Sequence, residues 1–171
     1  MSIKKENLLV IPEGPWSLEP DFKLIKHAGL KGVVIRHPTM GHLLGYVQLP
    51  HGSLADKVHA KNLRLSSKIK GGKFRFLKKR RRQYGYDIPE LMGLEVHGGI
   101  TYGSRKNLCG IHYRMGRGIW VGFDCAHCDD LVPAFQTLKI ISGEYADFNY
   151  VESHVRLLAE QVAKLPGAHR G

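Results

Sequence analysis

The apolar period of the chain changes at Asp147, and that change decides the fold class. From Asp147 to Leu165 the residues Phe148, Val151, Val155, Leu158, Val162 and Leu165 recur at alternating spacings of three and four. That is the stripe of one helix face, and Pro166-Gly167 stops it. A helix lying on a sheet is the plain consequence, since a coiled-coil or dimer seam needs more turns than this stripe supplies. Upstream the pattern is that of short strands. Gly32 to Arg36 and His42 to Leu49 flank the turn His37-Pro-Thr-Met-Gly41. Leu94 to Tyr102 and Ile119 to Cys125 are rich in β-branched and aromatic residues, and residues 7–11 read as a further short strand before a Pro/Gly-rich loop that runs to about Pro20. Gly98-Gly99 suits a bulge or a close backbone approach. Strands first and a closing helix predict an α+β fold with a mixed or antiparallel sheet. At 171 residues the chain has the size of a single domain, 1–171, with a core of its own.

Charge divides the chain more sharply than hydrophobicity does. Lys plus Arg is 26 against 15 Asp plus Glu, a formal net charge of +11. Eleven of those cations fall between Lys61 and Arg82, a stretch with no acid, and the remainder of the chain is neutral. A uniformly basic protein could be tuned for solubility, but a single concentrated patch points to a polyanionic partner. Lys70-Gly71-Gly72-Lys73 is a two-residue hairpin loop. Folding there puts Leu63, Leu65, Ile69, Phe74 and Phe76 on one face and Arg64, Lys68, Lys70, Lys73 and Arg75 on the other. Lys78, Lys79, Arg80, Arg81 and Arg82 follow as a basic tail. Residues 61–82 are thus expected to form a protruding basic β-hairpin and tail inserted in the domain, able to track the phosphates of DNA or RNA. The same Lys-Lys-Arg-Arg-Arg run would read as a nuclear import signal in a eukaryotic cell, and an idle solvated loop is the bland alternative.

Two constellations carry chemistry. Cys109-Gly-Ile-His112 and Cys125-Ala-His-Cys128 take up all three cysteines of the chain and bring C-x2-H and C-x2-C pairs to two turns. Thiolate and imidazole suit tetrahedral zinc, so Cys109, His112, Cys125 and Cys128 are candidate metal ligands; the alternative is three buried thiols. A second group, His97, Asp124 and His127, sits at two strand ends. If those strands are neighbours, a carboxylate beside imidazoles makes a general base or a metal site. Strict alternation sets Asp124 and His127 on opposite faces unless the chain turns after Cys125, and a capping Asp with a hydrogen-bonded structural His is the competing reading. No nucleophile elbow, phosphate loop, H-E-x-x-H or Rossmann fingerprint is present. His37, His42, His51 and His59 read as turn residues around the first hairpin.

Several segments keep a common order: Gly41-His-Leu-Leu-Gly-Tyr-Val47 with Pro50, Val96-His-Gly-Gly-Ile-Thr-Tyr102, Trp120-Val-Gly-Phe-Asp-Cys-Ala-His127 with Asp130 and Pro133, and Tyr150-Val-Glu to Leu158-Ala-Glu-Gln161. In these the chain resembles a family of small uncharacterised bacteriophage proteins with His-Gly-Gly-(Ile/Leu)-Thr-Tyr and Gly-Phe-Asp-Cys-Ala-His motifs. The resemblance implies a phage-encoded accessory protein acting inside a bacterium, with His97, Thr101, Asp124, Cys125 and His127 at motif positions. It carries no activity. Cys128 departs from the family pattern, which tends to a small residue there, and the basic segment looks like an insertion peculiar to this member.

Two functions are therefore expected from the residues, the first favoured and the second its alternative. One is binding of DNA or RNA, or of a host ribonucleoprotein or nucleic-acid enzyme, through the cationic hairpin, for instance to inhibit a host system. The other is a zinc- or His/Asp-dependent hydrolase acting on a phosphodiester or nucleotide. No run approaches the ~18 apolar residues of a membrane span. An N-terminus without an apolar stretch and an odd cysteine count fit a cytoplasmic protein of the host bacterial cell.

Overall fold

The computed structural model describes residues 11–50, 94–104, 119–138 and 143–165. They form an antiparallel five-stranded sheet with one α-helix on it, an α+β fold. The strands are β1 (Phe22–His27), β2 (Leu30–Arg36), β3 (Leu43–Gln48), β4 (Tyr102–Ser104) and β5 (Trp120–Asp124), in the order β1-β2-β3-β5-β4. Short 3-10 turns occupy Pro15–Leu18 and Pro133–Leu138. The helix α1 runs from Phe148 to Ala163.

The hairpin of β2 and β3 matches the sequence expectation. Arg36 pairs with Leu43, and the turn between them closes through His37 N–H on the His42 carbonyl (2.8 Å) and Gly41 N–H on the His37 carbonyl (2.9 Å). β1 is an addition that the sequence reading passed over. It pairs with β2 from Phe22↔Ile35 to His27↔Leu30, joined by Ala28 and Gly29 at φ +48° and +75°. Two positive φ angles make the tight turn that suits strand twist, and an alanine in the first of those positions hides it from a sequence search. The expected strand over Leu94 to Tyr102 is corrected: residues 94–101 lie outside any strand, and pairing with β5 starts only at Tyr102↔Gly122. Gly98 and Gly99 take φ of +62° and +80° and turn the chain, with Gly99 N–H on the Val96 carbonyl at 3.0 Å. The short strand expected over residues 7–11 falls, apart from Ile11, outside the described residues, as does the whole of the basic segment 61–82.

Side chains alternate across the sheet with period two. Val34, Leu43, Val47, Val121 and Phe123 face α1, while Val33, Ile35, Leu44, Tyr46 and Trp120 form a second buried cluster on the opposite face. The helix presents the stripe seen in the sequence: Phe148, Val151, Val155, Leu158 and Val162 are all buried against the sheet. Its closest approach runs over two glycines. A Cβ on Gly32 would come 2.6 Å from Val155 Cγ1, and one on Gly45 would come 2.5 Å from Phe123 Cζ and 2.8 Å from Val155 Cγ2. Burying about 2 kcal/mol worth of side chain at each such apolar position fixes α1 in place. Among the described residues no helix is long and apolar enough to cross a membrane.

Candidate metal centre

Three segments meet beyond the end of β5. The first is the turn that places His97 beside two glycines. Gly98 is required there twice over, because its φ is +62° and because the His127 ring occupies the space that a Cβ would take. The second is the tight turn after Cys125, where Asp130 N–H reaches back to the His127 carbonyl at 3.1 Å. It is fastened to the segment before α1 by Leu131 N–H on the Glu144 carbonyl (2.9 Å) and Glu144 N–H on the Asp129 carbonyl (3.1 Å). The third is the first part of α1, capped by the Asp147 carboxylate accepting the Tyr150 N–H at 2.7 Å.

At their meeting point the Asp130 carboxylate is the hub. Its Oδ2 lies 2.9 Å from His97 Nε2 and 3.1 Å from His127 Nδ1, and it accepts the His127 backbone N–H at 2.8 Å. The Asp130 side chain is only 7% exposed. Burial works against its charge, but the hydrogen bonds from His97 and His127 outweigh that and hold the carboxyl below the usual carboxylate range. Behind His97, its Nδ1 is 3.0 Å from the Tyr150 hydroxyl, and its backbone N–H donates to His154 Nδ1 at 3.1 Å. Because His154 Nδ1 accepts, its neutral ring carries the proton on Nε2. Burial, with His97 nearby, lowers its pKa and favours that neutral form.

His97, His127 and Asp130 could hold a metal ion: one donor atom from each lies within 4.8 Å of the others. Ligands at 2.0–2.2 Å from a tetrahedral zinc stand about 3.3 Å apart, so separations of 2.9 and 3.1 Å need only a small expansion. Two imidazoles and one carboxylate leave a coordination position open, the pattern of catalytic rather than structural sites.

His97 and His127, expected to gather with Asp124, lie side by side with ring centroids 5.3 Å apart. Asp124 stands outside this group. Paired with Leu44 across β3, it shares the sheet face turned away from α1 and accepts the Thr101 hydroxyl at 2.8 Å. The chain does turn after Cys125, and it is Asp130, three residues beyond His127, that the turn delivers. The H-x-x-D spacing was the available signal, as was the i, i+4 pair Tyr150 and His154 beside the apolar stripe. Of the proposed Cys/His ligands, Cys125 is buried in the core, where burial pushes its thiol far up and keeps it protonated, and Cys128 is exposed. Cys109 and His112 lie outside the described residues, as do Arg64, Lys68, Lys70, Lys73, Arg75, Lys78, Lys79, Arg80, Arg81 and Arg82. His37 is a turn residue as expected, its Nδ1 accepting the Met40 N–H at 3.2 Å and its ring stacked on His42 at 4.9 Å.

Comparisons with family models, with curated proteins and with solved structures return no match to this chain.

Proposed function

We propose that the protein is a zinc-dependent hydrolase of phosphodiester bonds, acting on nucleic acid or a nucleotide. The observation that carries this reading is the convergence of His97 Nε2, His127 Nδ1 and Asp130 Oδ2 in one partly buried cluster beyond the end of β5. Bound there, a zinc ion would supply Lewis acidity and a water made acidic enough to attack at neutral pH. The chain's own groups do the rest. Asp130, fixed by the His127 N–H, holds both imidazoles toward one point, and the Tyr150 hydroxyl orients the far side of His97. The eleven cations between Lys61 and Arg82 favour a polyanionic substrate. The test is turnover of labelled single-stranded DNA and RNA, and of a simple diester, by protein stripped of metal and then loaded with zinc. Activity is expected only after loading, with a loss of at least about a hundredfold in His97→Ala and Asp130→Asn. Cleavage that survives both substitutions, or a protein that takes up no zinc, sinks the reading.

A second reading is favoured by the charge partition alone. Here the protein binds DNA or RNA, or a host ribonucleoprotein or nucleic-acid enzyme, without cleaving it, as a phage-encoded inhibitor would. Neutralising Lys78 to Arg82 and following an electrophoretic shift across salt separates the two. With about six phosphate contacts, affinity should fall ~10³-fold between 50 and 200 mM salt, and an unchanged affinity and slope in the variant removes the binding role.

A further inference from the structure

We propose that the Tyr150 hydroxyl serves both tautomers of His97, donating to Nδ1 in the metal-free protein and accepting from it when a metal ion enters the centre. The inference rests on the reading of His97, His127 and Asp130 as metal ligands, and it adds a positioning residue that lies on α1 rather than among the ligands. In the metal-free state Asp130 is an acceptor only, so the 2.9 Å contact requires the His97 proton on Nε2. The His97 Nδ1 lone pair then accepts from the Tyr150 O–H at 3.0 Å. Both bonds are satisfied by one neutral tautomer.

A metal ion needs the Nε2 lone pair. The proton must leave Nε2, and if His97 is to stay neutral an equal one must arrive, through solvent, on Nδ1. That new Nδ1–H requires an acceptor. The Tyr150 oxygen already stands in place, and a phenol can accept as readily as it donates. His154, a further polar ring beside His97, already uses its Nδ1 to accept the His97 backbone N–H. Tyr150 is 42% exposed, so its own proton can turn to water once its oxygen accepts. The residue is also held where this reversal needs it. Its backbone N–H is tied to Asp147 at 2.7 Å, and its ring lies 4.5 Å from His154 and edge-on to His97 at 5.6 Å and 84°. Phenylalanine would keep those ring contacts and could neither donate nor accept.

The test uses the full chain, wild type and Tyr150→Phe, stripped of metal and titrated with zinc, alongside nitrogen-resolved NMR of the His97 ring. The wild-type ring is expected to carry its proton on Nε2 without zinc and on Nδ1 with it. Tyr150→Phe is expected to bind zinc about 10–100-fold more weakly while the metal-free protein melts as wild type does. Wild-type affinity in Tyr150→Phe, or a proton that stays on Nε2 of zinc-loaded wild type, overturns the proposal. If the variant folds poorly, the Tyr150 ring-carbon shift beside the hydroxyl in the wild type, which differs between a donating and an accepting phenol, decides: no change on zinc loading overturns the proposal. Wild-type protein that binds no zinc overturns the metal centre itself and the role of Tyr150 with it, and this outcome is recognisable because it precedes any substitution.

Discussion

Two carboxylates organise polar clusters at the two ends of the segment that leads into α1, and they are built from opposite kinds of donor. Glu19 accepts the Arg36 guanidinium at 2.9 Å, the Tyr145 hydroxyl at 2.6 Å and the Phe148 N–H of the first helical residue at 3.0 Å. Arg36 also bonds Asp21 at 2.8 Å and the Gly41 carbonyl at 2.9 Å. None of these donors gives up its proton near neutral pH. Arg36 is raised above its already high value because its bonds to Tyr145, Glu19 and Asp21 outweigh burial, and burial pushes Tyr145 well up. Among the described residues Asp130 has the same number of protein donors, but two of them are imidazoles, whose ring protons exchange and change sides. The first cluster is a clasp that pins the helix start. The second can trade its protons for an ion. Counting hydrogen bonds would not separate them; asking which donors can let go does.

The comparison can be broken most directly at the clasp. Glu19→Ala leaves a guanidinium that is 8% exposed with only the exposed Asp21 carboxylate beside it among the described residues, and should cost about 3 kcal/mol in urea unfolding. A cost under 1 kcal/mol would mean that the clasp holds nothing. A third kind of imidazole sharpens the contrast. His42 is 7% exposed, and its Nδ1 has no hydrogen-bond partner among the described residues. Burial, helped by the neighbouring His37, lowers its pKa from 6.5 to about 4. The unfolded chain therefore binds a proton that the folded one refuses. Stability is full above pH 6.5, falls as the pH drops toward 4, and loses up to about 3 kcal/mol over that window. Urea titrations at several pH values should show this slope, and His42→Leu should lack it.

Smaller effects follow where the clusters share a support. α1 supplies Phe148 N–H to the clasp and Tyr150 to the metal centre. Gly45→Ala pushes a methyl into Phe123 and Val155 beneath it. The expected loss is about 2 kcal/mol of stability, with weaker zinc binding alongside it. Normal zinc affinity at reduced stability would show that the centre does not depend on the seating of the helix. Smallest of all should be the effect of Asp130→Asn on folding, about 1 kcal/mol, since an amide oxygen can still accept the His127 N–H. Glu19→Ala and Asp130→Asn thus exchange roles, the one read in unfolding and the other in zinc binding.

What the sequence disclosed depended on how local each signal was. The helix was legible because its stripe repeats over several turns, and β2, β3 and β5 because β-branched runs have no competing periodicity. Residues 94–101 share that composition and still leave the sheet, since positive φ at Gly98 and Gly99 serves a turn against His127 that only the folded partner explains. β1 was hidden by a turn with alanine in a position that glycine or asparagine usually fills. Half of the candidate site was legible, His97 and His127, because each is a polar residue standing out of an apolar stretch. Asp130 was missed because its direction is set by a three-residue turn, and Tyr150 because its partner lies 53 positions away in the chain.

Helix α1 is made last among the segments that meet at Asp130. While a ribosome is still adding the residues before it, His97 has neither the Tyr150 phenol nor His154 to steer its ring. The ring of His97 is therefore fully oriented only after α1 has left the ribosome and docked on the sheet.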